Sequence, residues 1–311
     1  MPHDHSHGAN RRVLLISFFI ITGYMLVEAV GGWLTNSLAL LSDAGHMLSD
    51  SISLGVAVLA FSLGRKTANY SKTYGYKRFE ILAAIFNGVT LILISAYIFY
   101  EAFQRFMDPP EVASGGMLVI AAMGLVVNII VAWILMRGGD TEGNLNIRAA
   151  FLHVMGDLLG SIGAIAAALL IIFFGWGLAD PLASVIVAVL IIISGWRVTK
   201  DAVHVLMEGT PVGVDVEHIV SVMQADTRII DIHDLHMWSI TSGQNALSCH
   251  VTVDGGMTIE ESGDLLRELE RRLGDEGIGH VTIQVEGESH PHDEALMCRL
   301  NERMHEAHDQ E

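Results

Sequence analysis

Six long apolar runs fall within the first two hundred residues, and they constrain the fold more than any other feature of the chain. A bilayer core of about 30 Å needs roughly 20 consecutive apolar residues in a helix. The runs near 13–34, 37–63, 79–106, 115–137, 149–174 and 181–200 each come close to or exceed that length. Hydrocarbon offers no water to backbone N–H and C=O groups, so a spanning segment must bond them internally as a helix. The first run follows Arg11 and Arg12, but it is too long for a signal peptide and no small-residue cleavage site follows it. It reads as a retained helix.

Basic residues orient the spans. With the N-terminus inside, the inner segments carry Arg11, Arg12, Arg65, Lys66, Lys72, Lys77, Arg78, Arg137, Arg148, Arg197 and Lys200, and the outer side carries Arg105 alone. By the positive-inside rule both termini are cytoplasmic. Acidity is equally uneven: the whole net charge of -17 belongs to residues 201–311. Such a surface repels phosphate backbones, which argues against a nucleic-acid partner. It either concentrates cations or simply keeps the domain soluble. Cys249 and Cys298 lie far apart with no CxxC, so neither a disulfide framework nor a cysteine-rich zinc knuckle is available.

Beyond residue 200 the pattern changes period. Asp215 to Ala225 is amphipathic. Ile229 to Thr241 and Ala246 to Asp254 alternate and are rich in β-branched residues, with a turn signal at Ser242-Gly243-Gln244-Asn245. Thr258 to Leu273 has helical spacing, with Thr258 and Glu261 as a capping box, and Val281 to Val285 is a short last strand. The expected architecture is an α-helical membrane protein of six transmembrane helices with a C-terminal α+β domain of order αββαβ, a sheet with two helices on one face. The expected divisions are a His-containing tail at 1–12, the membrane domain at 13–200, the cytoplasmic domain at 201–288 and a polar tail at 289–311.

Ionisable side chains inside the bilayer are costly and need a reason. The second span holds His46 and Asp50, and the fifth holds His153 and Asp157. Residues four apart share a helix face, so each helix presents an imidazole beside a carboxylate. Two such helices face to face converge two nitrogens and two carboxylates, a tetrahedral set suited to Zn(II) and acceptable to Co(II) or Cd(II). The plainer alternative is an intrahelical hydrogen bond in each pair, but the same spacing occurs twice and the six spans hold no other histidine. Both ligand types carry protons when no metal is bound, so metal and protons displace each other. Metal/proton antiport follows. Glu28, Asn87 and Asn128 either line a path or join helix to helix, with packing preferred, and Asp43 is read as a helix-end hydrogen bonder.

Several stretches together resemble the cation diffusion facilitators, in particular the bacterial zinc, cobalt and cadmium exporters. They are Ser37-Leu38-Ala39-Leu40-Leu41-Ser42-Asp43-Ala44-Gly45-His46-Met47-Leu48-Ser49-Asp50, Tyr74-Gly75-Tyr76-Lys77-Arg78-Phe79-Glu80, His153 to Asp157, Ile232 to Trp238 and His280 to Glu286. The resemblance implies a homodimer in the bacterial inner membrane, with a metallochaperone-like cytoplasmic domain, exporting Zn(II) against protons. It also implies that His46, Asp50, His153 and Asp157 form the transport site. His233, His250 and Glu286, with His280 a weaker match, would hold a structural or regulatory zinc. Lys77 and Glu208 fall where the family places a charge pair. Gly64 to Arg78 contains no Asp, Glu or His, so an additional metal site that some relatives carry there is expected to be absent.

The tail residues His3, His5, His7, His290, His292, Cys298, His305 and His308 read as polar tails with weak metal affinity, and His236 and Trp238 read as packing. An intramembrane metalloenzyme is disfavoured, since no HExxH-like helix exists and four ligands close the site. The competing function is a membrane-bound divalent-metal sensor.

Overall fold

The structure, a computed structural model, describes residues 4–63, 68–138, 145–288 and 296, except for the side chains at 4–15, 50, 53–63, 135, 137–138, 145–153 and 155–156. The tail histidines and Cys298 lie outside the described residues or side chains. Two compact units are present, residues 1–62 with 82–200 and residues 63–81 with 201–311. The sequence places one cut at residue 200. The structure adds that the connection between the second and third spans belongs to the second unit.

Six helices make the first unit: α1 (Asp4–Thr35), α2 (Leu38–Leu63), α3 (Phe79–Met107), α4 (Ser114–Gly138), α5 (Leu145–Phe174) and α6 (Ala179–Leu206). Among the described residues five are long and apolar enough to cross a membrane. The sixth is α2, whose residues 50 and 53–63 lie outside the described side chains. The chain is a multi-pass membrane protein. Breaks fall where backbone chemistry requires them: Asn36 closes α1 at φ 54, Pro109 and Pro110 follow α3, and Gly175 closes α5 at φ +62. Helix α2 sits in the middle of the packing. It shares one apolar cluster with α1, α4 and α5 through Met47, and another with α3 and α6 through Leu38.

Small residues let backbones approach closely, as membrane helices require. A Cβ on Gly160 of α5 would lie 2.7 Å from Asp43 Oδ1 of α2, and one on Gly124 of α4 would lie 2.3 Å from the Tyr24 hydroxyl of α1. At either point a larger residue would require the Asp43 carboxylate or the Tyr24 hydroxyl to move.

In the second unit the order is α7 (Val216–Gln224), β1 (Ile229–Thr241), β2 (Gln244–Val253), α8 (Ile259–Asp275) and β3 (Ile278–Gly287), as the alternating pattern predicts. β2 is central, antiparallel to β1 and parallel to β3. The β1–β2 turn is tighter than expected, only Ser242 and Gly243, with Gly243 at φ +70. Asp215 caps α7 by accepting from Glu217 N at 3.0 Å. The Thr258–Glu261 capping box is present, with bonds of 2.9 and 3.3 Å. Leu265, Leu269 and Leu273, one turn apart on α8, are completely buried against Ile219, Met223, Leu247, Cys249 and Val251. Strand parity therefore divides the sheet. Odd-numbered β2 residues face the helices, and His250 faces the other side. Cys249 lies on the helix side, where burial pushes its thiol up to about 12, so it is an inert core residue.

Candidate metal centres

The first centre is built by α2 and α5. His46 Nε2 lies 3.7 Å from Asp157 Oδ1, and Asp157 is almost completely buried. One turn away, Asp43 meets Gly160. A step of three residues forward on α2 is thus matched by three backward on α5, which makes the helices antiparallel in a fixed register. Four residues further, about 6 Å along the axis, the same register brings positions 50 and 153 level with each other. The side chains of Asp50 and His153 lie outside the described residues. Of the expected four, the structure brings His46 and Asp157 together and carries Asp50 and His153 on the same two helices.

Hydroxyl and amide groups surround this place. Asn87 donates to Ser49 Oγ at 2.9 Å, Asn128 to Ser161 Oγ at 3.3 Å, and Tyr24 to Glu28 Oε1 at 3.3 Å and to the Ile120 carbonyl at 2.9 Å. The two asparagines join helix to helix, as the packing reading expects. Asp43 differs from its expected role: it is buried in the body of α2 against Gly160, and helix-end bonding falls to Asp180 instead.

The second centre lies on the sheet face away from the helices. His233 and His250 pair directly across β1 and β2, with ring centroids 5.3 Å apart. Glu286 on β3 reaches both, Oε2 at 3.3 Å from His233 Nε2 and Oε1 at 2.8 Å from His250 Nδ1. Ligand atoms of the three residues lie within 4.8 Å of one another. Two imidazoles and a carboxylate at this separation fit a zinc ion, leaving a fourth position for water or another donor. His280 is placed elsewhere. It pairs with Ala246 near the start of β3, and its ring meets that of Tyr74 at 5.7 Å.

Each member of the trio has an outer partner that the sequence reading missed. Asp231 Oδ2 lies 3.7 Å from His233 Nδ1, and Asp234 Oδ2 lies 3.7 Å from His250 Nε2. Gln284 Nε2 donates to Glu286 Oε1 at 2.6 Å. Asp234 sits in a bulge of β1 at φ 52, and the bulge turns Leu235 N toward the carbonyl of Leu296, 2.8 Å away. His236 is exposed and bonds Asp234 at 3.2 Å, so it is not a packing residue.

The expected charge pair needs correction. Glu208, itself at φ 58, is met by Arg78 at 3.1 Å and not by Lys77, which donates to Gln244 Oε1. Just before α3 the chain is turning, and the turn directs Arg78 rather than its neighbour toward Glu208. Glu80 accepts from Thr241 Oγ1 at 2.8 Å. The 68–81 segment is therefore fastened to residue 208 and to the β1–β2 hairpin.

Comparison with known proteins now decides the family. Residues 14–207 match the cation efflux transmembrane domain, and residues 211–288 match the cytoplasmic domain of cation efflux proteins. The chain belongs to the cation efflux family. It is 63% identical over 299 residues to the cadmium, cobalt and zinc/H(+)-K(+) antiporter of Bacillus subtilis, covering 96% of each chain. It is 42% identical over 312 residues to the zinc transporter ZitB of Escherichia coli, covering 97% of each. It is 40% identical over 286 residues to the metal cation efflux system protein CzcD of Cupriavidus metallidurans, covering 91% of this chain and 89% of that one. As a member of this family, the cation diffusion facilitators, the protein is a metal efflux transporter and not an enzyme.

Proposed function

We propose that the protein exports Zn(II), with Cd(II) and Co(II) as further cargo, from the cytoplasm in exchange for protons, through a site formed by His46, Asp50, His153 and Asp157. The observation that carries this reading is the antiparallel α2–α5 register, in which His46 and Asp157 already stand 3.7 Å apart. An N2O2 set suits a tetrahedral d10 ion better than Mg(II) or Ca(II), which need more oxygens. Each ligand must be unprotonated to bind metal, so cargo arriving from one side releases protons and protons arriving from the other release cargo. The buried Asp157 supplies charge that is poorly tolerated without a cation or a proton. That makes an empty, unprotonated carrier the costly state and ties the two fluxes together. The name of the Bacillus subtilis relative supports this cargo and protons as a counter-ion, with K(+) named beside them, and the name of ZitB supports zinc as cargo.

His233, His250 and Glu286 are proposed to hold a structural or regulatory zinc, oriented by Asp231, Asp234 and Gln284. The protein is proposed to act as a homodimer in the bacterial inner membrane with both termini cytoplasmic, as the basic residues flanking the spans favour.

Zinc flux into proteoliposomes with an enclosed zinc dye tests the reading. Wild type should move zinc under an imposed pH gradient, and Asp157→Ala should not. Zinc movement indifferent to the gradient would remove the antiport; bound zinc with no movement would favour the sensor.

A further inference from the structure

Asp180 is completely buried in the first turn of α6, yet its carboxylate serves another helix. Oδ1 accepts from Ser37 Oγ at 2.6 Å and from Ala39 N at 3.1 Å, and Oδ2 accepts from Leu38 N at 2.8 Å. Ser37 Oγ in turn accepts from Leu40 N at 3.2 Å. The first N–H groups of a helix have no partner within it and carry partial positive charge. At α2 three of them are satisfied by Asp180 and Ser37 acting together. Arg105 of α3 completes the arrangement. Its Nη1 lies 3.6 Å from Asp180 Oδ2 and 2.7 Å from the Asn36 carbonyl, and its Nε pairs with Glu101 at 3.1 Å.

We propose that Asp180 is a positioning residue for transport: it caps α2 from α6 and so fixes the depth and rotation at which α2 presents His46 to Asp157. This rests on the transport site proposed above. His46 follows Leu38 by eight residues, about 12 Å along a helix. A stiff helix carries a displacement of its capped end to that point. Arg105 ties α3 to the same carboxylate, so α2, α3 and α6 are fixed together at this end. Asparagine at 180 keeps the shape but turns an NH2 toward backbone donors, and it removes the charge that Arg105 and the helix end both favour.

The test is zinc flux against zinc concentration for full-length wild type, D180N, D180E and S37A in proteoliposomes, normalised to folded protein by circular dichroism and thermal unfolding. The expected result is a KM about tenfold higher for folded D180N, because misplacement of a remote support degrades site geometry. D180E should recover part of that, and S37A, which removes the bond to Asp180 and the one from Leu40 N but leaves the carboxylate its bonds to Leu38 N and Ala39 N, should raise KM about threefold. A role in stability alone would lower the folded fraction and leave KM unchanged. A wild-type KM in D180N overturns the inference, as does a wild-type KM in S37A should D180N fail to fold. Absence of flux in wild type would overturn the transport reading itself, and this inference with it.

Discussion

Replacing Asp234 with glycine should separate two quantities that usually move together, stability and metal affinity. Asp234 holds φ 52 in the β1 bulge, and its carboxylate lies 3.2 Å from His236 and 3.7 Å from His250. The left-handed backbone costs an L residue about 1–2 kcal/mol, a cost that glycine avoids. Against that, glycine adds about 0.5–1 kcal/mol of unfolded-chain entropy, and the lost part-exposed ion pairs are worth about 0–1 kcal/mol. The sum runs from about −1 to about +1.5 kcal/mol, so thermal stability should change little. Zinc affinity at His233, His250 and Glu286 should nevertheless fall about 10–100-fold, the usual cost of removing a carboxylate that orients a ligating imidazole. Asp234→Asn, which tolerates the same backbone, should lose affinity alike, and Asp234→Ala should be the least stable of the three. The assay is chelator competition for zinc together with thermal unfolding, on full-length protein carrying Asp157→Ala so that the membrane site does not contribute. Glycine and asparagine variants that bind zinc as tightly as their parent would refute the reasoning. So would a large loss of stability in the glycine variant that accounts for the lost binding.

Two further outcomes follow from the packing and the charges. Gly160→Val should abolish zinc flux while the protein still inserts and purifies, since its Cβ would meet Asp43 Oδ1 at 2.7 Å and displace this buried carboxylate one turn from His46 and Asp157; flux at wild-type rate would count against the register. Arg228 bonds both oxygens of Asp226, at 2.8 and 2.7 Å, and holds its carboxyl down at about 2. A depressed folded value contributes stability above the unfolded value near 3.9 and loses it as pH falls toward the folded value. Unfolding monitored from pH 5 to pH 2 should therefore show a loss in wild type that is flattened in Arg228→Ala, with the variant already weaker at neutral pH; parallel profiles would contradict the ion pair's role.

Much of the architecture was legible because hydrophobic period is a strong local signal. The long apolar runs and the Leu265, Leu269, Leu273 stripe each needed only residues close in sequence. The two halves of the proposed transport site needed only the same kind of signal: spacing of four puts His46 with Asp50, and His153 with Asp157, on one helix face. What escaped the sequence depends on distant or subtle geometry. Asp180 and Ser37 are 143 residues apart with no pattern linking them. Asp234 sits in an alternating run that gives no sign of a bulge, so its left-handed backbone and its reach to His250 were invisible, and His236 passed for a packing residue. Arg78 and Lys77 are neighbours with the same charge, and only the local turn decides which meets Glu208. β3 begins at Ile278, before the recognisable alternation, because Gly279 and His280 interrupt the apolar pattern.

In the proposed function α2 and α5 together hold the cargo ion. X-ray absorption at the zinc edge tests it most directly, on zinc-loaded full-length protein with His233, His250 and Glu286 replaced by alanine. One zinc per protomer is expected, with only nitrogen and oxygen neighbours at about 2.0–2.1 Å, and that zinc should be lost when Asp157→Ala is added. Zinc retained with an unchanged spectrum after that substitution would contradict this reading.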